Sequence, residues 1–411
     1  MHLLTCATRD YAWGSTSLIP RFLGTPADGQ PQAELWVGAH PGSPALLPDG
    51  GRLDEHIRDH PATALGQDTL DTFGPRLPYL MKALAAAEPL SLQVHPTSQR
   101  ARLGYEHENQ AGIPLGATQR CYQDRFHKPE LIVAITRFEG MAGFRDVEKS
   151  ARILRLLEHP WADRVAKDLE SAPPFQALHA AVSEILSQDG SELRGLIADI
   201  AAAAHAAEAR GHRSNRTSGR MYLDRASVER ESTRVFAQTV SLAQRYPTDP
   251  GVLVTLLLNH VVLSPGEAMF LDAGVVHAYT SGFGVEIMAA SDNVVRAGLT
   301  PKHVDVPELL HIANFTPMPA PIWEATPVSA NTLAYRPPVA EFALTIAREP
   351  GDQLPTEGPR TLLCLDGSVT VSSADASREL QRGQSLFVPH ADGAITLDGE
   401  GTVAIASVPS A

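Results

Sequence analysis

Between residues 146 and 258 the apolar residues of this chain repeat with a helical period, whereas on both sides of that block they alternate as in strands. Leu178, Val182, Ile185 and Leu186 fall at i, i+4, i+7 and i+8, and Leu193, Leu196, Ile197 and Ile200 at i, i+3, i+4 and i+7. Each set lines one face of a helix. An Ala-rich run at 201–209 extends the second face, residues 211–224 read as a mobile basic loop, and residues 228–246 read as a further helix that Pro247 stops. Asp249-Pro250 then offers an N-cap and a first-turn proline for residues 252–258. A chain of 411 residues exceeds one ordinary core. The expected organisation is therefore a β domain made of residues 1–145 and 259–318, a helical insertion at 146–258, and a second β domain at 319–411.

The β blocks carry frequent turn signals, such as Trp13-Gly14-Ser15 and Pro41-Gly42-Ser43, around short strands at 34–39 and 131–135. A helical patch is expected near 53–70, and residues 104–127 read as a polar, glycine-containing connection. One internal echo stands out. Leu263-Ser264-Pro265-Gly266-Glu267-Ala268-Met269-Phe270-Leu271 resembles Leu380-Gln381-Arg382-Gly383-Gln384-Ser385-Leu386-Phe387-Val388, each a glycine turn that opens onto an apolar strand. A histidine, His277, follows the first copy closely, whereas the second has only His390 at another offset and no acidic partner. The pattern points to two small β-barrels, one with a metal site and one without.

In Ser91-Leu92-Gln93-Val94-His95-Pro96 the apolar and polar residues alternate, so Gln93 and His95 share one strand face. A strand with a solvated polar face would read the same way, so partners are needed. His127-Lys128-Pro129-Glu130, His277-Ala278-Tyr279 and His40-Pro41 supply them in β context. His95, Glu130 and His277 form a two-histidine, one-carboxylate set of the kind that binds zinc with a position left open. Ligand preference alone ranks Gln93 below His40 and His127 as a fourth member. Further on, Glu286, Asp292, Arg296 and Lys302 are concentrated between apolar runs, and Ala297-Gly298 after Arg296 marks a close backbone approach. A net charge of −13 argues against nucleic acid as the main partner but leaves room for a small anion held by a few placed cations. Three scattered cysteines and an N-terminus without signal-peptide features point to a reducing, cytoplasmic setting, and no apolar run is long enough to span a membrane.

Taken together, these stretches resemble the type I mannose-6-phosphate isomerase (phosphomannose isomerase) family. The resemblance rests on Tyr11-Ala12-Trp13-Gly14-Ser15, Ala33-Glu34-Leu35-Trp36-Val37-Gly38-Ala39-His40-Pro41, Leu90-Ser91-Leu92-Gln93-Val94-His95-Pro96, His127-Lys128-Pro129-Glu130-Leu131, the stretch from Pro265 through His277-Ala278-Tyr279, and Ser291-Asp292-Asn293-Val294-Val295-Arg296-Ala297-Gly298-Leu299-Thr300-Pro301-Lys302. They occur in family order up to about residue 315, while the helical block and the tail match in texture and length. The resemblance implies a mainly β fold of two cupin-like (jelly-roll) barrels plus a helical domain. It implies one zinc ion per subunit on Gln93, His95, Glu130 and His277, so it promotes Gln93 over His40. It also implies interconversion of mannose 6-phosphate and fructose 6-phosphate through a cis-enediol, feeding GDP-mannose synthesis or mannose use. The family's active-site arginine falls on Arg296, while Ser91, Lys128, Tyr279, Glu286, Asp292 and Lys302 match other pocket residues. Gly42 departs from the basic residue that relatives often carry there.

Under this reading Arg296 stabilises developing charge or holds the phosphate, and Lys302 and Ser91 contact the phosphate. Glu286 and Lys128 both qualify as the general base, with Tyr279 or a zinc-bound water as alternatives. The partner is a small phosphorylated sugar, without nucleic acid or membrane, and a monomer is expected. Two rivals lie in other classes. A sugar-binding cupin without catalysis would lack the acid–base candidates or Arg296, and an iron-dependent cupin oxygenase would not need Arg296 and Lys302.

Overall fold

The computed structural model describes residues 1–214, 223–348 and 354–409. The helical block opens where the period changes. The Asp146 side chain accepts a hydrogen bond from the Lys149 backbone N–H and starts the helix Val147–Arg155. Pro160–Glu170, Pro174–Leu186, Gly190–Ser214 and Leu223–Arg245 follow, two of them with proline in the first turn. Helix therefore covers residues 211–214 and 223–224, and the rest of the expected basic loop lies outside the described residues. The apolar faces converge. Leu178, Val182, Ile185, Leu193, Ile197 and Ile200 share one core with Leu92, Val94 and Val295. The insertion thus packs on the back of the strands that carry Gln93 and Arg296.

Two further expectations change. Residues 98–110 form a helix, capped by Thr97, where a loop was expected from residue 104. This helix buries only Ala101, Gly104 and Glu108, a stripe too narrow to register as a helical period. The patch at 53–70 is three short helices, Leu53–Asp59, Pro61–Leu65 and Gln67–Phe73, broken where Pro61 and Gly66 interrupt the turn pattern. No helix among the described residues is long and apolar enough to cross a membrane.

The strands are antiparallel throughout the two sheet assemblies. In the first, Tyr79–Ala86 pairs with Glu34–Val37 on one side and with His277–Ala289 on the other, and Glu130–Ala134 and Ala268–Leu271 continue the sheet. Trp36, Lys82, Glu286 and Ile132 are consecutive cross-strand partners, so their side chains share one face. Glu34 and Glu130, each two residues away along its strand, point the same way. The opposite face, with Leu35, Tyr79, Met81, Leu131 and Val285, packs on Tyr335, Phe342, Leu363 and Phe387 of the C-terminal β region.

The strand His277–Ala289 also serves a second layer. Its first residues pair with Leu92–Val94 and Phe138–Phe144, and Leu92–Val94 pairs in turn with Val295–Gly298. A register shift between Tyr279 and Ser281, followed by Gly282 at φ 125°, turns the strand from one layer to the other. His277 faces Gln93, and Gln93 faces Arg296, in one row. The C-terminal sheet is built on Arg360–Ser372 and Thr396–Ser407, and the N-terminal strand His2–Leu4 joins it by pairing with Ser385–Val388. The two turn glycines of the internal echo, Gly266 and Gly383, have nearly the same φ, 87° and 85°.

Gly298 fulfils the close approach read from Ala297-Gly298. It sits at φ 138°, and a Cβ there would lie 2.6 Å from Asp249 Oδ1 and 2.7 Å from Gly251 Cα. Gly298→Ala is therefore expected to destabilise the fold by about 1–3 kcal/mol, measured by urea or thermal unfolding. A surface change such as Gly195→Ala, which meets no atom within 4 Å, should cost nothing comparable.

Candidate metal centre

His95, Glu130 and His277 come from three different strands or their ends, yet one ligand atom of each lies within 4.8 Å of the others. His95 Nε2 is 3.2 Å from Glu130 Oε1, and His277 Nε2 is 3.3 Å from Glu130 Oε2. The tautomers are set from behind. His95 Nδ1 lies 2.8 Å from the Asn293 carbonyl, and His277 Nδ1 2.9 Å from the Val275 carbonyl. A carbonyl only accepts, so each Nδ1 carries the proton and each Nε2 presents a lone pair inward. His95 Nε2 and Glu130 Oε2 are buried without a hydrogen-bond partner. Lone pairs buried against one another are unfavourable unless a cation lies between them, and this donor set fits zinc or a similar divalent ion.

Gln93 lies beside the group. Its amide is 3.3 Å from His277 Nε2, and a half-turn of the amide puts the carbonyl oxygen where the nitrogen stands. Its place follows from the register, since Gln93 lies directly opposite His277. The other two candidates weighed from sequence stay outside. His127 Nε2 pairs with Glu341 Oε1 at 2.6 Å, and His40 Nδ1 accepts from the Gly42 N–H at 3.2 Å while its Nε2 lies 3.6 Å from Asp292 Oδ2. His40 and Asp292 line a cleft of about 370 Å³ together with Arg76, Asp124 and Phe126.

The charges around the centre are ordered. Burial opposes ionisation of Glu130, but the interactions led by Lys128, with Nζ 3.1 Å from Oε1, outweigh it and hold the carboxyl well below its usual range. Burial lowers the His95 pKa to about 4, so the imidazole is neutral and free to act as a ligand near neutrality. Glu286 behaves in the opposite sense. Burial raises its pKa, Lys82 opposes the shift, and Glu130 and Glu34 add to it. Tyr279 keeps its proton because burial, then Glu286 and Glu130, push its pKa up, and its hydroxyl has no hydrogen-bond partner.

Sequence reasoning missed Lys82. Its Nζ lies 2.9 Å from Glu286 Oε2 and 3.4 Å from Glu34 Oε1, all three groups being buried. Burial works against its charge, but Glu286, Glu34 and Glu130 together outweigh that and raise its pKa. The available signal was a lysine inside the run Tyr79-Leu80-Met81-Lys82-Ala83-Leu84, since a lysine is buried only where it is paired. Arg296 and Lys302 lie apart from this group. Burial lowers the pKa of each, Arg296 repels Lys302, and neither has an ion-pair partner among the described residues. Two unneutralised cations beside the Gln93 row suit an anion. Ser91 is half-buried just before the Gln93 strand, and Asp292 is exposed, its backbone N–H bound to Asp124.

Comparisons with known proteins agree with this geometry. The family described as phosphomannose isomerase type I, catalytic domain, matches residues 1–147. The chain is 33% identical to mannose-6-phosphate isomerase of Escherichia coli (strain K12) over 98% of each chain, and 33% identical to that of Homo sapiens over 94% of this chain and 92% of the other. A crystal structure of mannose 6-phosphate isomerase in its holo, zinc-bound form superposes with a TM-score of 0.85 at 32% identity, covering 100% of this chain and 99% of that one.

For the metal set, Gln93→Ala is expected to lower zinc retention roughly 10- to 100-fold, while His40→Ala leaves it nearly intact. Metal analysis after dialysis against a graded chelator checks both.

Proposed function

The chain belongs to the type I phosphomannose isomerases, and on that premise we propose how its residues interconvert mannose 6-phosphate and fructose 6-phosphate, with zinc as cofactor. The observation that carries the reading is the set of inward lone pairs at His95, Glu130 and His277. Gln93, His95, Glu130 and His277 hold the ion, one per chain. When bound, zinc acts as a Lewis acid that steadies negative charge on the sugar oxygens.

The reaction moves a proton between C2 and C1 through a cis-enediol, and its barrier is the acidity of a carbon next to a carbonyl. Glu286 is the base in this reading. A buried carboxyl with a raised pKa takes a proton from carbon better than an ordinary one once it is ionised, and the Lys82 ammonium beside it favours the ionised form. Lys128 is the weaker candidate, because its ammonium is engaged with Glu130. Tyr279 offers an unpaired hydroxyl as a donor to a sugar oxygen. Arg296 and Lys302 hold the phosphate, with Ser91 beside them, and Asp292 takes a sugar hydroxyl from the side of His40. The chain works as a cytoplasmic monomer in three units, a catalytic cupin barrel from 1–145 and 259–318, a helical insertion at 146–258, and a metal-free cupin-like barrel at 319–411 that borrows the strand His2–Leu4.

Arg296→Ala is expected to lower turnover on the order of 100-fold, with zinc per chain unchanged. Equal loss of metal and turnover would refute a role apart from folding. Chelation should abolish isomerisation in a coupled assay on fructose 6-phosphate, and added zinc should restore it. A base must be deprotonated to act, so kcat/KM should fall as pH drops through the raised Glu286 value. The acid limb of the profile should therefore lie above 4.5, the ordinary glutamate value.

A further inference from the structure

Glu34 and Trp36 lie outside the residues assigned above, yet Glu34 is 5% and Trp36 7% exposed. A carboxylate so deeply buried must be met by donors. It is met twice. Trp36 Nε1 donates to Glu34 Oε2 at 2.7 Å, and Glu34 Oε1 lies 3.4 Å from Lys82 Nζ. The Trp36 ring also lies against the same ammonium, with its centroid 5.4 Å from Nζ. On the far side Nζ meets Glu286 Oε2 at 2.9 Å. The backbone enforces the row, because Trp36 and Glu286 are the two direct cross-strand partners of Lys82.

A lysine side chain has four rotatable bonds and, with one carboxylate partner, would sample several positions. Here an indole face and Glu34 close one side and Glu286 the other. We infer that Glu34, itself held by the indole N–H of Trp36, is a positioning residue for the isomerisation. It fixes the Lys82 ammonium and, through it, the orientation of the Glu286 carboxylate. The inference rests on Glu286 as the base and adds that the base is steered from a strand that contributes nothing to the metal site. Glu34 touches neither metal ligands nor substrate in this scheme, so its effect belongs in turnover rather than in binding.

The test uses the zinc-loaded full chain, with kcat and KM for fructose 6-phosphate, zinc per chain and thermal unfolding recorded for each variant. Glu34→Gln keeps the shape and removes the charge. It is expected to lower kcat roughly 10- to 100-fold, as loss of a supporting partner does. KM should stay within about threefold and zinc should stay at its parent value, since uniform binding is untouched. Trp36→Phe keeps an aromatic ring and every charge but removes the N–H, and should lower kcat in the same direction by less. The double variant should be no slower than Glu34→Gln, because Trp36 acts through Glu34. Parent-level kcat in Glu34→Gln, a loss matched by lost zinc, or losses that multiply in the double variant would each overturn the inference. If Glu34→Gln does not fold, Trp36→Phe decides alone, and parent-level kcat there overturns it. Glu286→Gln is run alongside. If that variant keeps its turnover, the base assignment itself falls. If it is inactive while Glu34→Gln turns over normally, only the positioning role falls.

Discussion

The Glu130 carboxylate, 2% exposed in the middle of the larger sheet assembly, is the constraint on which the rest of the site depends. An isolated carboxylate there would cost several kcal/mol in lost solvation. Lys128 meets one oxygen, and two histidines with inward lone pairs face both. Those lone pairs add no positive charge of their own. The arrangement is satisfied only when a cation joins it, which couples metal binding to the packing of three strands. The Lys82 group solves the same problem differently, with two carboxylates around one ammonium. Burial, with the negative charge of Glu130 and Glu34 added to it, is what gives Glu286 its heightened hold on a proton.

One strand joins the two groups. His277–Ala289 carries His277 and Tyr279 in one layer and Glu286 in the other, with the bend at Gly282 between them. Its two ends are backed by different cores. Helices of the insertion pack behind Leu92, Val94 and Val295, and the C-terminal sheet packs behind Met81, Leu131 and Val285. Neither backing element supplies a ligand or a base. Their contribution is rigidity, since a charged site in a dry interior works only if its dipoles are fixed beforehand. This gives a physical reason for so much chain around so few reacting groups.

Local patterns in the sequence reached part of this arrangement. The period change near residue 146 coincides with the cap at Asp146, and the alternation at Leu92-Gln93-Val94 is a true strand. His95, Glu130 and His277 were legible because their residue types are rare together in β context. Gln93 was reached only through family resemblance, and its register sets it opposite His277. Lys82 was lost because the segment around it reads as an apolar run, and its partners Glu34 and Glu286 lie 48 and 204 residues away. No local period encodes such pairing. The helix Ser98–Gln110 was lost for a simpler reason, as its buried stripe is three residues wide. His127 shows the reverse error. Its residue type suits a ligand, but a remote glutamate, Glu341, already occupies it.

The strand His2–Leu4 is hydrogen-bonded to Ser385–Val388, at the opposite end of the chain. During synthesis the strand His2–Leu4 must wait for residues 385–388 to be made before it has a partner. At ribosomal rates of about 5–20 residues per second, that delay is roughly 20–80 seconds. The edge of the C-terminal sheet that receives it, and the apolar layer that this sheet presses onto the back of the catalytic sheet, are completed only once residues 385–388 have emerged. Quality control at the ribosome would therefore meet a molecule whose metal ligands have all emerged while the wall behind its catalytic sheet is still being built.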